Sequence, residues 1–311
     1  MNTNGTKVVV NTPGVGVNDP MFEVSPTFDS HGTTYDLTYT YSYVQLGADI
    51  DLLGAAYGGS EDLSKGAAAE KYANVLEWVP IQQHTPNLDG LGHTIDHLYI
   101  NATAADDTAD YQGLFGRGDA SYEKIDSRIA NTFIGANSYV RGNNYVGAFI
   151  GGANSVSIVN CSNAAEVEGA SCVGGIEGSN GGTRGYTSGC SNVGVVVGST
   201  NVGGIVGNGN PSLADCSNVG AVTATAANGK AGGIMGTSEA ASNYTTSCYN
   251  AGPVSAVTAG AITASSGYMF SNCLYDKDAS TPAGKPAVIG VGEYSETPGK
   301  IDGVSSADLK S

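Results

Sequence analysis

The chain has 311 residues, 41% of them hydrophobic and 14% charged, and 13 Lys and Arg against 29 Asp and Glu leave a formal net charge of −16. That balance excludes a nucleic-acid binder, because a few scattered cations among more than twice as many anions cannot form a basic face that releases phosphate counterions. No apolar run reaches the ~18 residues that span a bilayer, and the opening MNTNGTKVVV is too polar for a signal-peptide core.

In chain order, residues 1–43 read as an N-terminal cap. Tyr35, Leu37, Tyr39, Tyr41 and Tyr43 alternate with polar residues as a strand does, and a stacked fold has an open end to hide. An insertion between Leu52 and Trp78 follows. Its residues 62–77, with Ala, Glu, Lys and Leu, make the one convincing helix.

From Val146 the chain repeats itself. One block runs Val146-Gly147-Ala148-Phe149-Ile150-Gly151 and returns at Val173, Val202, Ala231 and Ala259, in steps of 27, 29, 29 and 28 residues. A second block interleaves with it as Cys161-Ser162-Asn163, Cys190-Ser191-Asn192, Cys216-Ser217-Asn218 and Cys248-Tyr249-Asn250, with a looser copy at Cys273. Two independent blocks on one period are the signature of a stacked repeat. The repeats are rich in Gly, Val, Ser, Thr and Asn, which favours short strands between turns over helices. The fold class this predicts is all-β: a right-handed parallel β-helix of nine or ten coils, with about three strands per coil, an N-terminal cap and one inserted helix. The domains are then the cap (1–43), the β-helix (44–275) and a Pro- and Gly-rich C-terminal cap or linker (276–311).

The columns of the first block suggest which side chains face in. Its fourth position is always large and apolar (Phe149, Ile176, Ile205, Ile234, Ile262), so it is assigned to the interior. The fifth (Ile150, Glu177, Val206, Met235, Thr263) accepts a carboxylate, so strand alternation would place it outside. The second is Gly in every copy, which implies neighbours too close for a side chain.

These blocks resemble the GLUG-motif repeats of bacterial surface and secreted proteins, including some adhesins and regions of immunoglobulin A peptidases. Ala48-Asp49-Ile50-Asp51-Leu52, Trp78-Val79-Pro80-Ile81, Asp89-Gly90-Leu91-Gly92-His93-Thr94-Ile95 and Gly113-Leu114-Phe115-Gly116 resemble the segments that precede such repeats, so the resemblance covers roughly residues 44–275. It implies an extracellular β-solenoid module and no single biochemical activity.

Candidate sites are each weighed against a plainer role. Cys161, Cys190, Cys216, Cys248 and Cys273 share one column. Side chains stacked in parallel about 4.8 Å apart do not suit the roughly 90° torsion of a disulfide, so a reduced, inward ladder is expected. Asn163, Asn192, Asn218 and Asn250 read as an amide ladder at a coil corner rather than as sugar ligands. His93 and His97 lack the Glu of a zincin motif, and in a strand they would lie about 13 Å apart. Asp49, Asp51, Asp89, Asp96, Asp106, Asp107 and Asp110 crowd the N-terminal half and could suit Ca²⁺, though a solvated acidic surface is the plainer role. Arg117-Gly118-Asp119 matches the integrin tripeptide in what reads as a turn. Between Ile129 and Gly229 the charges are only Arg141, Glu166, Glu168, Glu177, Arg184 and Asp215, too sparse for acid–base catalysis on the regular coils.

The sequence therefore predicts a non-catalytic extracellular scaffold or adhesive module of a larger bacterial surface protein. No catalytic residue, metal or cofactor is expected. The expected partner is a glycan or another host-surface ligand, without nucleic acid or membrane insertion, and the chain is expected to act as a monomer within a longer protein. The rivals are a carbohydrate-active β-helix enzyme, lyase or glycosidase, and a purely structural stalk.

Overall fold

The structure, a computed structural model, describes residues 44–52, 77–82, 86–104, 106–119, 127–182, 185–238, 244–265, 269–281, 289–291 and 300–308. The expected N-terminal cap, and all but the last residue of the expected helix at 62–77, lie outside the described residues.

Short apolar and β-branched runs between Gly, Asn and Ser can only form short strands, and the chain stacks them in parallel into a β-solenoid. A coil contains five strands, not three. In one coil they are Ser157–Val159, Ser162–Asn163, Glu166–Glu168, Ser171–Gly174 and Glu177–Asn180. Each pairs with its equivalent one coil further on, as Val173 does with Val202 and Asn163 with Asn192. The columns form sheets of eight, nine and six strands, plus one of eleven that takes in the last two columns. Those two merge because Thr258–Thr263, an unbroken strand in its coil, pairs with both.

Five consecutive coils, from Arg128 to Thr263, carry every column, so the stack has five full turns rather than the expected nine or ten; partial coils on either side extend one sheet to nine strands. Pairing continues past residue 275: Ile301–Val304 adds to Cys273–Asp276, and Ile289–Val291 adds to Thr258–Thr263. Between them Lys277–Ser280 makes one helical turn, whose first amides donate to the Asp276 carboxylate.

The inside–outside reading of the first block needs one correction. The fourth position is buried throughout, but so is the fifth: Ile150, Glu177, Val206, Met235 and Thr263 are all at most 2% exposed. Alternation holds only within a continuous strand. Here the chain bends at the third and fourth positions (Ala148-Phe149, Gly175-Ile176, Gly204-Ile205), and a new strand starts at the fifth with its parity reset. The bend also explains the second-position glycines. A Cβ on Gly174, Gly203 or Gly232 would strike the carbonyl oxygen of Glu177, Val206 or Met235 three residues on.

The core is a set of apolar columns, such as Val140, Val167, Val196, Val222 and Val254, running the length of the stack. Besides the buried asparagine column, a polar island around Glu177 interrupts it. Glu177 is fully buried, with Thr187 Oγ1 at 2.6 Å and Asn180 Nδ2 at 3.1 Å from its carboxyl oxygens. Burial pushes its pKa up to about 7, and the two hydrogen bonds only partly offset this.

Candidate functional site

The two sequence ladders turn inward and hold the coils together. All six cysteines are free and buried. In the repeat column each Sγ donates to the carbonyl two residues back: Cys161 to Val159 at 3.4 Å, Cys216 to Ala214 at 3.3 Å, Cys273 to Ser271 at 3.6 Å. The residue before each cysteine turns the corner. Asn160, Asp215, Ser247 and Asn272 have φ of 52–54°, and Gly189 has 62°. Burial raises the Cys190 thiol pKa, and the contact with Cys190 raises that of Cys216. Such thiols are poor nucleophiles. The asparagines form a continuous amide chain: Asn163 donates to Asn192 at 2.9 Å, Asn192 to Asn218 and Asn218 to Asn250 at 2.8 Å, and Asn250 to the Ser280 hydroxyl at 2.9 Å. Each amide also donates to the carbonyl two residues on, such as Gly194, Gly220 and Gly252.

Most of the acidic N-terminal residues pair separately, while Asp107 and Asp110 line one concavity with Glu77. Asp49 accepts from the Thr94 amide at 2.8 Å and faces His93 Nδ1 at 3.2 Å, and these contacts hold its carboxyl below the ordinary carboxylate range. Asp51 lies 2.8 Å from His97 Nδ1. Asp89 bonds Asn131, Asp96 bonds Asn137, Asp106 caps a short 3₁₀ turn and Asp110 bonds Asn144. The two histidines thus pair one coil back, each with its own Asp. Sequence reasoning missed these pairs, whose trace was the alignment of Asp49–Asp51 with the strand that begins at Thr94. His97 is 3% exposed, with Nε2 buried and unpartnered among the described residues, so its ring is shielded from solvent while Asp51 stays exposed.

Arg117-Gly118-Asp119 is not a turn. It belongs to the strand Phe115–Asp119, because Gly152, Ala153 and Asn154 in the next coil pair with it residue for residue. Arg117 and Asp119 therefore sit about 7 Å apart along one strand face.

Arg117 instead joins the two concavities of a wall groove. The larger, about 580 Å³, is lined by Glu77, Trp78, Asp107, Asp110, Gln112 and Arg117, among others. The smaller, about 250 Å³, continues past Arg117 over Gly152, Asn154, Ser179 and Gly181. Tyr111 borders both. Its ring stacks on Tyr145, with centroids 4.7 Å apart and planes within 11°, and the Arg117 guanidinium lies 5.3 Å from the Tyr111 centroid. The stack stabilises by ~0.5–1.5 kcal/mol beyond area burial, and the cation–π contact adds ~0.5–1 kcal/mol at an exposed site. Trp78 is anchored by its indole N–H, which donates to the Leu114 carbonyl at 3.1 Å. The groove combines fixed aromatic walls with hydrogen-bonding carboxylates, amides and a guanidinium, the mixture that orients polar organic ligands.

No protein-family model and no curated protein matches the chain. One solved structure shares its fold. It is the crystal structure of a candidate immunoglobulin A1 protease from Bacteroides ovatus, at 21% identity and a TM-score of 0.57, covering 86% of this chain and 78% of that one. At that identity the likeness is one of fold.

Tyr111 and Tyr145 were not singled out by sequence. The signal was present in the repeat phase, which puts Tyr145, Cys172, Asn201 and Lys230 each immediately before a first-block copy. The bridge from Gln112 to Val146 sets Tyr111 in the same column.

Proposed function

We propose that the chain is a non-catalytic extracellular module of a larger bacterial surface protein, of the GLUG-repeat kind, and that it binds glycans through the groove beside Tyr111. The observation that carries this is the groove itself, with the stacked Tyr111–Tyr145 pair and Arg117 held on a stiff stack of coils. Apolar ring faces suit the C–H faces of a pyranose, and Glu77, Asp107, Gln112 and Asn154 offer partners for its hydroxyls. A solenoid in which each coil contacts its neighbours supplies a rigid wall, so little ordering cost accompanies binding.

Peptide cleavage, suggested by the description of the Bacteroides ovatus protein, is the rival reading. The buried, weakly acidic thiols and the buried His97 ring do not favour it.

The test is a glycan array probed with the full 311-residue chain, alongside a Tyr111→Ala variant. Binding to a glycan subset that the variant loses, with no new reducing ends released, supports the reading. Binding unchanged by the substitution, or cleavage of the bound glycan, overturns it.

A further inference from the structure

We infer that the Arg117 end of the groove is a subsite for the carboxylate of an acidic sugar. This rests on the glycan reading above and specifies it.

Charge is divided unevenly along the groove. The larger concavity holds Glu77, Asp107 and Asp110, whereas the described lining of the smaller holds no carboxylate. Arg117 stands between them, exposed, with its guanidinium over the Tyr111 ring and no ion pair among the described residues. A guanidinium fixed by an aromatic face, with no ion pair among the described residues, keeps its N–H donors for a ligand, and its planar fork matches a carboxylate. The floor beside it is cleared. Gly152 pairs with Arg117 across the sheet, and a side chain there would run into the Tyr111 ring. Ser179 follows one rung on. The resulting space is of the order of one pyranose ring, with Asn154 and Ser179 as further donors. The acidic end would then accept the hydroxyls of the neighbouring sugar.

Backbone conformation adds an independent observation. Many coil corners in this protein take a left-handed residue, and the corner before the cysteines uses Asn, Asp, Ser or Gly. These tolerate positive φ, whereas bulky side chains do so at a cost. At the groove corner the positions are Tyr111 (φ 57°) and Tyr145 (φ 60°), followed by Cys172 and Asn201 at 55°. Two adjacent rungs thus keep tyrosine where asparagine would fit with less strain, and both rings face the groove. Strain retained at a concave site points to use of those rings.

The experiment is titration calorimetry of the full chain with an oligogalacturonate, a sialylated oligosaccharide, and the carboxyl-reduced, neutral counterpart of each. The first two probes separate the sources of the carboxylate. At least one acidic form should bind, its neutral counterpart at least tenfold more weakly. Arg117→Gln should abolish the difference, and Arg117→Lys should restore part of it. Tyr145→Asn should weaken binding while the melting temperature holds or rises, an outcome that a merely structural tyrosine would not give. If neutral glycans bind the groove as well as acidic ones, or Arg117→Gln changes nothing, the carboxylate subsite is wrong while the glycan reading stands. If none of these probes and no array glycan binds, both fall.

Discussion

Glu177 makes the stability of the solenoid depend on pH in a direction unusual for a carboxylic acid. It is fully buried, has no cation beside it among the described residues, and has its pKa raised from 4.5 to about 7. In the unfolded chain the group titrates near its ordinary value. Below about pH 4.5 both states are protonated and the full stability is present. As pH rises toward 7, the unfolded state loses this proton while the folded state keeps it, so stability falls, and above about pH 7 the loss is complete. At about 1.4 kcal/mol per pKa unit, the loss is about 3 kcal/mol. That is a large fraction of the 5–15 kcal/mol typical of domains. Glu177→Gln removes the titration but keeps the partners. Its carbonyl can accept from Asn180, and its N–H can donate to Thr187, whose hydroxyl rotates to suit. Urea unfolding followed by circular dichroism, at steps from about pH 4 to pH 8, measures both proteins while other titrating groups cancel in their difference. The variant should gain about 3 kcal/mol on the wild type across that window. Parallel curves, less than about 1 kcal/mol apart in their change, would refute the assignment of Glu177 as a neutral internal acid.

Other expectations follow from the same geometry. Ile205→Asp and Val206→Asp should both unfold the protein at ordinary temperature, since both side chains are completely buried and an unpaired internal carboxylate costs several kcal/mol; a mild Val206→Asp would restore simple alternation. Thiol titration should count six free thiols in denaturant and almost none in the folded chain, whereas a bridge between coils would show as a lower count and a mass deficit. Asn218→Ala, in mid-ladder, breaks two ladder bonds at once, leaving the Asn192 N–H without its ladder acceptor and the Asn250 side-chain carbonyl without its ladder donor, and should cost roughly 2–4 kcal/mol, more than Asn163→Ala at the ladder's end, which breaks one; equal melting temperatures for the two variants would show that the chain of amides is not cooperative.

Much of the stack was legible because it rests on identity between coils. Equivalent residues must superpose, so Cys161, Cys190 and Cys216 recur with their corner residue before them and their ladder asparagine after. The number of strands per coil was not legible. Strands of two or three residues leave no periodicity to count, and five such strands look like three longer ones. The burial of Val206 was hidden for a related reason, because a bend between Gly204 and Ile205 resets the parity that the alternation rule assumes. Glu177 compounded the error. A carboxylate in a column signals solvent only when nothing inside can hold its proton, and Asn180, three residues on, and Thr187, ten residues on, turn inward to do so. The groove was the least visible, because it arises from what the coil is missing at Gly152 and from two tyrosines 34 residues apart that only the rung register brings together.

The proposed role requires that a glycan lie on Tyr111, Tyr145 and Arg117 without being cut. A crystal structure of the full chain soaked with the best-binding acidic oligosaccharide tests this directly. Continuous sugar density with intact linkages is expected along the groove, with a pyranose face against the tyrosine stack and a carboxylate on the Arg117 guanidinium. Sugar bound on another face of the solenoid, or a broken glycosidic bond beside Glu77, Asp107 and Asp110, would contradict it.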